Sequence, residues 1–138
     1  MQLQAEEVMC LNVICEEARE VRSGLDGYLR VIPIVGGSVE GRVRGSVVSG
    51  GADWNTEKPN GDAHVFAKYL LETDDGEYIA VENEGILEKD STARIKTVPR
   101  FTADENGKYA WLNKGVYVGS LEGGKVPNSV EIHVYRIG

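Results

Sequence analysis

The chain has 138 residues, of which 41% are hydrophobic and 27% charged, with a net charge of −7. That length predicts one domain over residues 1–138, with a core that needs no disulfide or metal. No run of about 18 apolar residues predicts a membrane span. The N-terminus lacks the basic and long apolar regions of a secretion signal, and 22 Asp and Glu against 15 Lys and Arg disfavour a nucleic-acid partner.

Segments rich in Val, Ile, Tyr and Thr alternate with glycine-containing breaks, which is strand punctuation. Strands are predicted over 6–18, 27–35, 38–49, 63–73, 77–87, 93–101, 108–121 and 129–137. The first holds Cys10 and Cys15. In extended chain their Cα atoms lie roughly 16 Å apart, and a disulfide reaches less than about 7 Å. Two free thiols without an export signal predict a reducing compartment, the cytoplasm. Neither has a His or Lys close in sequence to stabilise a thiolate, so both read as structural.

In 38–49, Val39, Gly41, Val43, Gly45 and Val47 share one face, and Ser38, Glu40, Arg42, Arg44 and Ser46 the other, so the first set is predicted buried. Gly50-Gly51 read as a sharp turn out of that strand, which sets Asp53 and Trp54 at its end. In 63–73, Val65, Ala67, Tyr69 and Leu71 face inward and Lys68 and Glu72 outward. Phe66 and Leu70 also fall outward and point to a homodimer or a covering loop. Thr73-Asp74-Asp75-Gly76 reads as a hairpin turn.

The next strand places Ile79, Val81 and Asn83 inward. A buried amide without a partner costs about 1–3 kcal/mol, so Asn83 marks either an internal network or a ligand cavity. Residues 88–93 read as a loop, with a short helix as the alternative. Pro99 interrupts the strand 93–101. Alternation puts Arg100 on the outer face unless the proline breaks the register. Tyr109, Trp111 and Asn113 alternate onto one face of 108–121.

Eight antiparallel strands of this length hide their edges by closing. The predicted fold is all-β: a closed antiparallel up-and-down β-barrel of about eight strands, lipocalin-like in size, with little helix. A two-sheet sandwich is the alternative. Nucleotide-binding and hydrolase motifs are absent, and no cofactor is expected. His64 and His133 stand far apart in sequence and read as structural or exposed, so no metal site is expected.

The candidate site residues are Asp53 as acid or base and Trp54, Asn83, Arg100, Trp111 and Asn113 as ligand contacts. The indoles would supply stacking surface, and the amides would orient the ligand. Arg100 would meet a carboxylate or enolate if it turned inward. Each also has a structural reading: a core or rim aromatic, a backbone-bonding Asp or Asn, a solvated arginine. In an up-and-down barrel, Asp53 and Gly85 share one rim, and Arg100 and Tyr109 the other, so Arg100 ranks last.

GGADW at 50–54, ETDDG at 72–76, TVPRF at 97–101, YAWLN at 109–113 and YVG at 117–119 together resemble a bacterial and fungal family of small barrel proteins, domain of unknown function 3237. The resemblance runs from Val8 to Ile137. It implies a closed antiparallel barrel and no established general activity. The chain departs from the family pattern at Phe66, where an acidic residue is common, and between Glu88 and Arg94, where a longer insertion is common.

Three functions follow as expectations. The first is a barrel that binds a small organic ligand in a polar-aromatic cavity. The second is a cofactor-independent isomerase, dehydratase or cyclase that uses Asp53. The third is an interaction module with a filled core.

Overall fold

The computed structural model describes all residues from Met1 to Gly138. Nine strands form one antiparallel sheet: β1 Ala5–Cys15, β2 Arg19–Gly24, β3 Gly27–Gly41, β4 Gly45–Glu57, β5 Ala63–Thr73, β6 Tyr78–Leu87, β7 Ile95–Thr102, β8 Val116–Gly123 and β9 Ser129–Ile137. Strands β3 to β9 follow one another as a meander, and β1 pairs with both β9 and β3 to close the cylinder. The fold is thus a closed barrel of eight strands with β2 added outside it. No helix is long and apolar enough to cross a membrane.

The predicted alternation holds on β5, β6 and β7. Val65, Tyr69 and Leu71 are buried, as are Ile79, Val81 and Asn83, while Lys68 and Glu72 are exposed. Thr97, Pro99 and Phe101 are buried and Arg100 exposed, so Pro99 leaves the register intact.

Four boundaries differ from expectation. Residues 38–49 are not one strand: the chain reverses between Gly41 and Gly45, and its halves belong to β3 and β4. β3 continues through Gly36-Gly37, which the sequence suggested as a break, with a register shift against β4 between Ile34 and Ser38. A side chain at Gly37 would overlap the Asn12 carbonyl, so glycine there lets β1 lie against β3. Gly50-Gly51 do not turn the chain out of the sheet. Gly50 takes a φ of 120° inside a bulge between Val48 and Ala52, and β4 continues through Asp53 and Trp54. Residues 110–113 form a short 3₁₀ turn instead of strand, whereas 88–93 are loop, as the sequence reads.

The inward rows change in size along the barrel axis. Leu71 pairs with Ile79 and with Val47, and one row higher Tyr69, Val81 and Phe101 stand side by side. These residues join Met9, Leu11, Val39, Leu112 and Tyr117 in the core that fills the lower half. The next row upward is Asp53, Ala67, Asn83 and Pro99, and the one above it Val65, Gly85, Thr97 and Gly119. Strand spacing is fixed by the backbone at about 4.8 Å, so smaller inward side chains leave space. The upper half is hollow for that reason.

The lower end is stoppered by the segment between β7 and β8. Leu112 and Tyr109 are buried beneath the barrel. Phe101 meets Tyr117 edge-on at 5.4 Å between ring centroids. The Asn113 side chain brackets Ala103, accepting from its N–H at 2.7 Å and donating to its carbonyl at 2.8 Å.

Candidate functional site

The hollow half is a cavity of about 370 Å³. Its walls are mostly apolar and include Val13, Ile32, Ile34, Val65, Leu121 and Ile132. Asp53, Asn55, Asn83, Tyr69 and Cys15 supply polar atoms within it, with Lys96 and Glu122 among its lining residues near the upper strand ends.

Asp53 reaches the lumen because β4 continues past its bulge and pairs Asp53 with Ile32 on one side and Ala67 on the other. Its Oδ1 accepts a hydrogen bond from the Phe66 N–H at 3.0 Å. Burial raises its carboxyl above the ordinary range, against the Phe66 N–H, the Asn55 amide and His64, which pull it down. Burial thus disfavours the charged carboxylate, and its polar neighbours offset part of that penalty.

Asn83 stands on the same row, two strands away. Ala67 lies between them, so the acid and the amide face each other across roughly 10 Å with only a methyl in the gap. Asn83 is 4% exposed, and its Oδ1 has no hydrogen-bond partner. Buried polar atoms are ordinarily paired, so this oxygen is an open acceptor at the lumen wall.

Tyr69 lies one row below. Burial raises its hydroxyl pKa, and Cys15 adds to the effect. Burial, then Asp53, raises the Cys15 thiol. Both are neutral hydrogen-bonding groups at neutral pH. Neither was singled out in the sequence as a site residue, nor were Asn55, Lys96 and Glu122. The inward alternation of β5 already pointed to Tyr69, but the meeting of β1, β4 and β5 that gathers the rest is a tertiary fact.

Of the six candidates, Asp53 and Asn83 come together in the lumen. The other four do not line it. Trp54 is 53% exposed, because it follows Asp53 within a strand and so takes the outer face. Arg100 is exposed, sits opposite Glu82 on the outer wall, and lines a separate cleft of about 400 Å³ there with Lys68 and Asn113. Trp111 lies at the stoppered end, where the Arg42 guanidinium stacks 4.3 Å from its ring centroid. Asn113 is committed to Ala103. The 3₁₀ turn at Ala110–Asn113 breaks the alternation that would have aligned Trp111 with Asn113.

A closed antiparallel barrel with a filled lower half and an apolar lumen carrying an acid and an amide defines the class. The chain matches, over residues 4–137, the model of a family described as a protein of unknown function, DUF3237, and it belongs to that family. A UPF0311 protein of Bradyrhizobium diazoefficiens is 39% identical over 109 residues, covering 68% of this chain and 71% of that protein. The crystal structure of a conserved protein of unknown function from Rhodopseudomonas palustris superposes with a TM-score of 0.87 at 30% identity, covering 100% of this chain and 99% of the other. A structure described as an enzyme from Penicillium herquei matches with a TM-score of 0.80 at 21% identity, covering 100% and 96%. That last likeness concerns the fold alone.

Proposed function

We propose that the protein binds a small, largely apolar, uncharged organic molecule in the upper lumen. The observation that carries this reading is the unpartnered Asn83 Oδ1 beside an open cavity of about 370 Å³. Pockets for small ligands begin at roughly 300 Å³ and pair apolar walls with a few polar groups. A hydroxyl or N–H of the ligand would satisfy Asn83, and a ligand oxygen would meet the Asp53 carboxyl. The ligand is uncharged because Lys96 is the only cationic side chain among the lining residues. A carboxylate ligand would instead face the Asp53 carboxyl, with Arg100 on the far side of the wall.

A catalytic reading rests on Asp53 itself. Burial raises its carboxyl above the ordinary carboxylate value, the direction that makes a carboxyl a better proton acceptor in its charged form. An isomerase, dehydratase or cyclase of a carbonyl compound would use it so, with no cofactor.

The experiment is mass spectrometry of small molecules released from protein purified from its own host cells, with Asn83→Leu and Asp53→Asn in parallel. Binding predicts one organic molecule per chain that Asn83→Leu loses. Catalysis predicts in addition that Asp53→Asn keeps the molecule in unconverted form. A chain that carries no molecule, and whose thermal midpoint moves with none of a panel of neutral aromatic and oxygenated compounds, overturns the reading in favour of an interaction module.

A further inference from the structure

The outer wall where β1, β9 and β8 meet gathers side chains that the chain order keeps apart. Register places Cys10 directly opposite His133, and Glu122 directly opposite Glu131. Like charges facing each other across a strand pair are destabilising. Yet Glu7, Glu122 and Glu131 have no Lys or Arg partner, and all three converge on the one imidazole.

The imidazole is held from behind. Its Nδ1 donates to Glu7 Oε1, which in the neutral ring leaves the Nε2 lone pair facing forward. In front of it, Glu131 Oε1 stands 3.2 Å from Nε2, and Cys10 Sγ lies 3.9 Å from Nε2 and 3.7 Å from Glu131 Oε1. Glu122 Oε1 approaches Nε2 to 3.9 Å from the neighbouring strand. A tetrahedral ion with bonds of about 2.3 Å to sulfur and about 2.0–2.1 Å to nitrogen and oxygen sets ligand-to-ligand edges of about 3.3–3.6 Å. The three edges among Cys10, His133 and Glu131 match within about 0.4 Å, and Glu122 closes in by about half an ångström to complete the set.

We infer that Cys10 Sγ, His133 Nε2 and Glu131 Oε1, completed by Glu122, form a site for one divalent transition-metal ion of the zinc type, with Glu7 orienting the imidazole. Thiolate, imidazole and carboxylate together select such an ion over calcium or magnesium. A carboxylate behind the ligating histidine is the usual outer support of such sites. The ion's two positive charges offset half of the negative charge that the three carboxylates and the Cys10 thiolate gather there. Cys10 surrenders its thiol proton to solvent on binding. Lys125, which lines the adjoining depression with Cys10 and Glu131, makes no ion pair and leaves that charge unanswered. The site clasps the first strand of the barrel to its last two, with Cys10, Glu131 and His133 on the outer face of the wall and Glu122 at the upper rim that the lumen shares.

The test is titration of chelator-treated full-length protein with cobalt(II), followed by competition with zinc(II). The expected result is one equivalent bound, with the visible absorption of a tetrahedral ion and a thiolate-to-cobalt band in the near ultraviolet. Cys10→Ser should remove the band, and Glu7→Gln should keep it while weakening affinity about 10–100-fold. His133→Gln gives a second variant should Cys10→Ser fail to fold, and it should lose at least as much affinity as Glu7→Gln. Zinc should displace cobalt and raise the thermal midpoint. Absence of stoichiometric uptake, an octahedral spectrum without a thiolate band, or a band that survives Cys10→Ser overturns the site and leaves a proton-linked His–Glu cluster.

Discussion

The two ends of the barrel are made by the same strands and differ in what those strands turn inward. At the lower end Leu71, Ile79, Val81 and Phe101 interlock, and the 3₁₀ turn adds Leu112 from below. At the upper end the same strands offer Ala67, Gly85, Thr97 and Gly119. Stability is thereby concentrated at one end, and the other is free to carry groups that a packed core would reject. The two asparagines make the point. Asn113, at the filled end, has both amide atoms paired to Ala103. Asn83, at the hollow end, leaves its oxygen open.

Substitutions at matched positions test this contrast. Leu71 is fully buried, and Leu71→Ala should cost about 2–5 kcal/mol in urea denaturation. Leu121 lines the lumen, where its side chain lacks neighbours on one face, so Leu121→Ala should cost about 2 kcal/mol or less. Equal losses would mean that the upper end is as tightly packed as the lower. Asn113→Ala removes two backbone hydrogen bonds and should cost about 1–3 kcal/mol by the same measurement, with any bound molecule retained. Asn83→Leu should carry the opposite sign, gaining about 1 kcal/mol because an unpaired buried oxygen is replaced by apolar surface of similar shape.

The smallest effect is pH-dependent. Burial raises the Asp53 carboxyl, so the folded chain holds a proton that the unfolded chain releases. Stability therefore falls as pH rises from the ordinary carboxyl range through the raised folded-state value, and the whole penalty stands at neutral pH. Asp53→Asn removes it. The variant's urea midpoint should exceed the parent's at pH 7 and converge with it toward pH 3. A variant less stable than its parent at pH 7 would make Asp53 a structural carboxylate anchoring Phe66.

Alternation made the inner face of β5, β6 and β7 legible in the sequence, Asn83 included, because β5 pairs with β6 and β6 with β7 without a register shift. It misled wherever the backbone did something local. Gly50-Gly51 absorb a bulge rather than a turn, so Asp53 keeps the inward side and Trp54 the outward one. The 3₁₀ turn carries Trp111 and Asn113 to the far end. Strand β2 escaped notice because Arg19, Glu20 and Arg22 present no apolar face. The Cys10–His133 cluster could not be read at all, since it exists only once β1 lies beside β9.

Strand β2 has a consequence of its own. A perfect cylinder offers an outside polypeptide nowhere to attach, yet β2 pairs only with β3 and keeps its far margin of peptide groups unsatisfied. Arginine and glutamate stud that margin, and Arg22 at a φ of 82° kinks it within a bulge. Such devices deter a like-charged twin from zipping on. The molecule thus retains one open strand edge, guarded by charge rather than abolished by closure.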